Sequence, residues 1–486
     1  MAAYNQIEEG ESIAGVAQPT APRSNTARWA VVAAACMGVA TVGYASAKGS
    51  VSLLKMDEVS SSDQTNAWME RDDVKAVAAQ KVTYGTMSED DVRGLFAKFK
   101  SDFGKNYDAV SDTEDNDRFI MFKKNLKMID NANKQNPLAL FGITLWADES
   151  EEERGMRRMS KKTSGWANMK STLPNSLVEA AEKGPEYVMG KTFSMTDTSS
   201  RGMDMSIDTA QVEWADEDMC AACNKYPGFK DYSTDNRPDD FDWRELGAVT
   251  DVKNQKYCGS CWTFSTAGDV EGTHYLSTGV LKSFSEQQLV ACDTTMYGCE
   301  GGYMYAAMQY VSKIGGLVTY DDYPYEGIMM DYMDNTPTCD TELISDMIMA
   351  DNANDTAHIE SWQFVAMGED YEDLMATVLL KNGPLSLAIN AIAMDYYVHG
   401  ITGCETIAGS EYCEAGSIDD TYPCDPESLD HGVLAVAYGV QDDVKYWVIK
   451  NSWGDSWGED GYYRIERGTD HCGVANMVQH TVYKEN

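Results

Sequence analysis

A thiol at the mouth of a helix is the first arrangement in this sequence that could do chemistry. Gln255-Lys256-Tyr257-Cys258-Gly259-Ser260-Cys261-Trp262 leads into residues that read as helix as far as Gly279, with Phe264, Val270 and Tyr275 on a partly apolar face. Cys261 would meet unpaired backbone N–H groups and the positive end of the helix dipole, both of which favour thiolate over thiol. A thiolate is a nucleophile, and it needs a base close by. Among the six histidines, His431 stands in Asp430-His431-Gly432-Val433 at the start of an apolar strand, where a ring can be aimed rigidly. The other five (His274, His358, His399, His471 and His480) read as surface or structural. The bland alternative for Cys258 and Cys261 is a redox or metal pair.

Taken as a run, Cys258-Gly259-Ser260-Cys261-Trp262, with Gln255 upstream, resembles the active-site signature of the papain family of cysteine proteases, in its cathepsin L-like branch. Asn451-Ser452-Trp453-Gly454 followed by Trp457-Gly458 is similar to the family's N-S-W-G-x-x-W-G run. The resemblance implies Cys261 as nucleophile, His431 as base, Asn451 orienting its ring and Trp453 shielding that contact from water. It implies Gln255 as an oxyanion donor beside the Cys261 backbone N–H, an arrangement that often contributes about 3–4 kcal/mol to catalysis. Thiolate and imidazolium would exist as a pair before substrate arrives. His431 and Asn451 lie 170 and 190 residues after the thiol, against roughly 130–150 in the family pattern. Two acidic inserts, near residues 340–358 and 404–423, account for the excess and can be surface excursions. The first carries a glycosylation sequon, Asn354-Asp355-Thr356.

The elements that must position this constellation fall into two groups. Beyond Gly383-Pro384 the chain turns to short β-rich segments: Leu385–Ile389, Val433–Val440, Tyr446–Lys450 and Tyr462–Glu466. Ahead of them come helices, one opened by a capping-box pattern at Ser285 and Gln288 and an apolar one led in by Gly301-Gly302. Helices first and antiparallel strands second give an α+β fold of two lobes. The resemblance makes this the two-lobed papain-like fold, with a helical lobe, an antiparallel barrel-like lobe and the site in the cleft between them.

Upstream, residues 88–103 place Val92, Leu95, Phe96 and Phe99 at helical spacing. A second helix opens with the capping box Ser111-Asp112-Thr113-Glu114 and carries Glu114, Arg118, Phe122, Asn125, Ile129 and Asn133 on one stripe. Spacing alone gives an ordinary amphipathic helix. By resemblance the series is the E-x3-R-x3-F-x2-N-x3-I-x3-N signature of cathepsin L-like propeptides. Gly142, Thr144, Trp146 and Asp148 follow, similar to G-x-N-x-F-x-D, with Thr144 and Trp146 departing from it. An inhibitory prosegment is implied, laid backwards through the cleft.

The chain divides into a disordered N-terminus (1–29), an apolar stretch (30–47), a spacer (48–87), a helical prodomain (88–148), a linker or activation segment (149–236) and a catalytic domain (237–486). Residues 30–47 read as a signal anchor or a cleaved signal peptide ending in Ala45-Ser46-Ala47. Either implies the secretory pathway, with a lysosome or vacuole or the cell exterior as destination and a membrane tether in the proform if the stretch is kept. Net charge is −39, which argues against nucleic acid or anionic membrane as partners. Nine of the twelve cysteines lie beyond residue 240, an odd number that leaves one thiol free after four disulfides. The family pattern pairs Cys258 with Cys299, Cys292 with Cys339 and Cys424 with Cys472, leaving Cys404 with Cys413. Cys220 and Cys223 read as a local disulfide or idle thiols rather than half a zinc site; no metal or cofactor is expected.

By the same matching, Tyr303, Met304, Ala388, Gly432 and Met477 line the pocket for the second residue before the cut, and Gly301 and Gly302 offer backbone bonds to the substrate strand. That pocket is apolar and suits Leu, Phe or Val. No histidine lies between Cys299 and Cys339, so the occluding loop of carboxydipeptidase relatives is absent. The expected protein is thus a monomeric endopeptidase zymogen whose partners are protein and peptide substrates and its own propeptide. Two alternatives predict different thiol chemistry. A catalytically inactive binding or storage homologue would leave Cys261 unlabelled, and a tethered redox protein would cycle Cys220 and Cys223.

Overall fold

The computed structural model describes residues 83–107, 112–136, 138–159, 164–171, 237–327, 338–350, 356–403 and 424–483. The stretch 30–47, Ser111, the Cys220/Cys223 pair, the sequon asparagine and the Cys404–Cys413 pairing lie outside these residues. Among the described residues no helix is long and apolar enough to cross a membrane.

Two prosegment helices come first. Helix α1 (Glu89–Asp102) starts at Ser88, whose hydroxyl accepts from the Asp91 N–H. It buries Val92, Phe96 and Phe99 against Phe119 and Phe122 of α2 (Asp112–Gln135). A short strand β1 (Ala139–Phe141) and two short helices, α3 (Glu151–Gly155) and α4 (Trp166–Ser171), complete the upstream part. The signature stripe of α2 is the face that folds this unit. Phe122 and Ile129 are buried. The Asn125 amide donates to the carbonyls of Ala147 and Glu149 (3.0 and 2.8 Å). Asn133 bonds both the N–H and the C=O of Phe141. Arg118 makes a two-pronged pair with Glu153 at 2.6 and 2.8 Å, the geometry that carries most energy in a carboxylate–guanidinium contact. Arg118, Asn125 and Asn133 of the stripe thus serve a charge or backbone groups that burial would otherwise leave unsatisfied.

The catalytic part opens on β2 (Phe241–Asp242). Helix α5 (Cys261–Thr278) has fourteen consecutive buried residues, 261 to 274, and ends at Gly279 in the left-handed conformation. Helices α6 (Glu286–Cys292) and α7 (Met304–Ile314) pack beside it. Ser285 caps α6 through the Gln288 N–H, but the Gln288 side chain does not return the bond. Instead it ties Gly316 and Val318 to the helix, so the capping box is half formed and half spent on tertiary contact. Then come β3 (Leu317–Val318), α8 (Thr341–Met349), β4 (Thr356–Ala357), β5 (Ile359–Ala366), α9 (Glu372–Asn382), β6 (Leu385–Ile389), β7 (Tyr397–Thr402), β8 (His431–Gln441), β9 (Val444–Lys450), β10 (Tyr462–Glu466) and β11 (Val478–Tyr483).

Nine strands form one sheet in the order β1-β7-β10-β9-β8-β6-β11-β5, with β2 alongside β8. Its pairings are antiparallel except β7 with β10. The barrel-like lobe expected from the sequence is therefore an open sheet among the described residues. One edge of it is β1, a strand from the prosegment, with Ala139 opposite Gly400. The disulfides Cys258–Cys299, Cys292–Cys339 and Cys424–Cys472 are formed, and Cys261 is free and buried.

Candidate active site

Cys261 occupies the first turn of α5, and His431 is the first residue of β8. Gly432, next along the strand, turns its backbone N–H toward the Cys261 thiol. The Asn451 side-chain oxygen lies 2.8 Å from His431 Nε2 and also accepts from the Ser452 N–H, so the ring is held at one nitrogen. Its other nitrogen, Nδ1, is buried without a hydrogen-bond partner. Trp453 lies 4.9 Å from the imidazole between ring centres, tilted by 32°, beside the His431–Asn451 contact. Gln255 is fixed by Ser452, whose hydroxyl donates to its Oε1 (2.6 Å).

The remaining residues singled out in the sequence gather around this centre. On β6, Ala388 pairs with Gly432 and donates its N–H to the Met477 carbonyl. A side chain on Gly432 would meet Met304 Sδ at 3.2 Å. Tyr303 immediately precedes Met304 at the start of α7. Gly302 lies against the Trp262 ring, where a Cβ would sit 2.6 Å from a ring carbon. Gly301 departs from the expectation. Its N–H goes to Gly298 and its carbonyl to Tyr297, because the loop closes on itself there, so both its backbone groups are taken. Of the five histidines read as surface or structural, His274 and His480 are buried within the fold, the latter beside Asp269 at 3.1 Å.

Over all of this lies the prosegment. Gly142 N–H donates to the Tyr396 carbonyl and Thr144 Oγ1 to the Asp395 carbonyl. Trp146 packs edge-on against Trp453 at 5.2 Å. The two departures from the second propeptide motif, Thr144 and Trp146, thus both touch the catalytic part. Asp148 faces inward to Lys105 and Tyr107, and burial, only partly offset by Lys105, lifts its carboxyl to about 6. Beyond Asp148 the contacts continue. The Arg157 carbonyl accepts from Gln255 Nε2 at 2.7 Å, and the Met159 N–H donates to the Asp430 carbonyl at 2.7 Å. The Arg158 carbonyl passes so close to Gly259 that a Cβ there would lie 2.7 Å from it.

Sequence reasoning missed the side chains that hold this crossing. Arg154 Nε and Arg158 both bond Asp395 Oδ2, at 2.9 and 3.0 Å, and Arg158 reaches Asp430 at 3.3 Å. Arg157 pairs within the prosegment, to Glu149 at 2.7 Å, and lies over the Trp146 ring. The available signal was three arginines in five residues, directly after the second propeptide motif, in a chain of net charge −39.

Covering the site changes its electrostatics. The helix N-terminus was expected to favour thiolate, yet burial pushes the Cys261 thiol up to about 12, with the Gly432 N–H opposing only part of it. Burial likewise pulls His431 down to about 4 despite its bond to Asn451. Removing both groups from water costs their charged forms more than a helix terminus returns. In the covered state burial therefore favours a neutral thiol and a neutral imidazole over the charged pair.

Residues 237–482 match the papain family cysteine protease domain, and residues 96–153 match the cathepsin propeptide inhibitor domain (I29). The chain belongs to the papain family. It is 33% identical to a probable cysteine protease of Arabidopsis thaliana over 399 residues, covering 79% of this chain and 85% of that one. A cysteine proteinase of Pisum sativum is 35% identical over 79% of this chain and 84% of its own. Cathepsin F of Drosophila melanogaster is 34% identical over 83% of this chain, which spans 53% of that longer protein. Among solved structures, digestive procathepsin L2 from the larval midgut of Tenebrio molitor superposes with TM-score 0.54 at 25% identity, covering 80% of this chain and 99% of that one. The proform of the ragweed pollen protease Amb a 11 gives 0.52 at 28%, covering 82% and 97%. With both domains matched, the protein is a cysteine protease, a hydrolase carrying its own propeptide inhibitor, and the state described is the inhibited zymogen.

Proposed function

We propose that this zymogen yields a cysteine endopeptidase in which Cys261 attacks the peptide carbonyl and His431, oriented by Asn451, carries the proton. The observation that carries the reading is the Arg157 carbonyl on Gln255 Nε2. A backbone carbonyl already occupies the donor meant for an oxyanion, and the crossing segment is held on its far side by the Met159 N–H on the Asp430 carbonyl. Once the prosegment departs, water returns to both groups, and the burial that held the thiol up and the imidazole down is relieved. Proton transfer from Cys261 to His431 then gives the thiolate–imidazolium pair. Attack makes a C–S bond and a tetrahedral oxyanion, held by Gln255 Nε2 and the Cys261 N–H. His431 returns its proton to the leaving amine, and water hydrolyses the thioester.

Met304, Ala388, Gly432 and Met477, converging beside Cys261 with Tyr303, favour an apolar side chain at the second position before the cut. Gly302, pressed on Trp262 and without a side chain, is the backbone contact for the substrate strand. The enzyme acts as a monomer along the secretory route, in a lysosome, a vacuole or outside the cell. The test uses residues 49–486 and the Cys261→Ser variant at about pH 4.5, near half-protonation of exposed carboxylates. The wild type alone should shorten to begin near Arg237 and cleave a Leu-containing peptide. A trimmed chain whose Cys261 fails to react with a thiol-directed epoxide would identify an inactive homologue instead.

A further inference from the structure

The arginines of the crossing segment differ in what they leave behind. Arg157 pairs with Glu149, which departs with it. Arg154 and Arg158 pair with carboxylates of the catalytic part. Asp395 is 1% exposed, its Oδ2 takes both guanidinium groups, and its Oδ1 is buried with no partner. When the prosegment leaves, Asp395 and Asp430 lose the cations that bond them, and an acceptor already short of one donor lacks three. The neighbours of Asp395 are rigid: Trp457 donates its indole N–H to the Met394 carbonyl and packs on Trp453, which packs on His431.

We propose that Asp395, with Asp430 beside it, forms a second specificity subsite of the mature cleft, one that takes the guanidinium or ammonium group of a basic substrate residue. Arg158 is the occupant that shows the fit, since one guanidinium spans both carboxylates. The subsite shares no residue with the methionine-lined pocket. Its position follows from the chemistry proposed above, on which this inference rests. The leaving amine takes its proton from His431, so the departing half of the substrate lies on the His431 side of the thiol. Trp453, Trp457 and Asp395 stand there. The preference therefore falls on the first or second residue after the cut. Substrates would be chains with Leu, Phe or Val two residues before the cut and Arg or Lys just beyond it.

The test is a set of quenched fluorescent peptides given to the activated enzyme at about pH 5.5. All carry Leu two residues before the cut, with Arg, Lys, Gln or Glu at each of the two positions after it. At one position kcat/KM for Arg should exceed that for Gln roughly tenfold or more. That ratio should shrink as salt is added and collapse toward one in Asp395→Asn. If Asp395→Asn does not mature, the wild-type ratio and its salt dependence decide the matter alone. Arg and Gln peptides cleaved within about twofold of each other at both positions would overturn the proposal and confine Asp395 to holding the prosegment. Cleavage of no peptide, with Cys261 unreactive, would instead remove the protease reading and this inference with it.

Discussion

Replacing Arg158 with methionine should loosen the zymogen without touching the nucleophile. Arg158 is 7% exposed and bonds Asp395 at 3.0 Å and Asp430 at 3.3 Å. Methionine keeps most of the apolar stem and removes both bonds. Asp395 retains Arg154, whereas Asp430, whose carboxyl burial already raises against the pull of Arg158, loses that cation. Breaking one side of a buried pair costs about 3 kcal/mol at the lower end of the measured range, which is roughly a hundredfold in the equilibrium between covered and open cleft. Cys261 is buried in the covered state, so its reaction with a thiol-directed epoxide at neutral pH reports the open fraction when opening is fast. The initial labelling rate of the full chain should therefore rise about a hundredfold in Arg158→Met. The gain should shrink on acidification, because a protonated Asp430 no longer needs a partner. A labelling rate within about threefold of wild type at neutral pH, in a chain that still activates in acid, would refute the idea that this pair holds the prosegment down.

Glu153 supplies a pH term of opposite sign to Asp148. Burial alone would raise Glu153, but the Arg118 pair and the Ser150 backbone bond hold it below its usual 4.5, so its stabilisation is present above that value and lost as pH falls through the folded pKa. Glu153→Gln should open more readily at neutral pH and respond less to acid, read as the pH of half-release of the prosegment. His431 acts in the same direction, since burial in the covered site pulls its pKa from the ordinary imidazole value of 6.5 down to about 4, so the covered state weakens as pH drops toward 4. The His431 ring signal in the full-length Cys261→Ser chain should accordingly stay that of a neutral imidazole at pH 6, and a protonated ring there would contradict the burial argument. Asn133→Ala removes both hydrogen bonds between the Asn133 amide and the Phe141 backbone, at about 1–3 kcal/mol for the prosegment, visible as a lower denaturant midpoint for Cys261 exposure. Gly302→Ala forces a Cβ to 2.6 Å from the Trp262 ring. It should cost about 1–3 kcal/mol of stability in urea unfolding and slow peptide cleavage.

Much of this was legible in the residues because it is local. The stop at Gly279, the cap at Ser285 and the strands Leu385–Ile389 and Tyr462–Glu466 follow from short-range pattern, and the structure has them there. Strands β5 and β11 were not seen, since Trp362, Phe364 and Gln479 are all buried and leave no alternation to read. The same limit hid the charged half of the site. Arg154 and Asp395 are 241 residues apart, and neither residue type announces a distant partner. The thiol's helix terminus was visible, and by resemblance so was the prosegment over it, but not the burial that outweighs the terminus.

The crossing of the cleft also separates two events that a processing gel merges. From Thr144 to Met159 the prosegment is held by backbone bonds, ring contacts and ion pairs, none of which depends on the peptide chain being continuous between that segment and Arg237. A cut anywhere between them turns a tethered inhibitor into a bound ligand without removing it. Up to that moment inhibition is independent of dilution; afterwards it obeys mass action, and the nicked complex opens as it is diluted. Crowded together, nicked molecules would stay silent, and dispersal itself would switch them on.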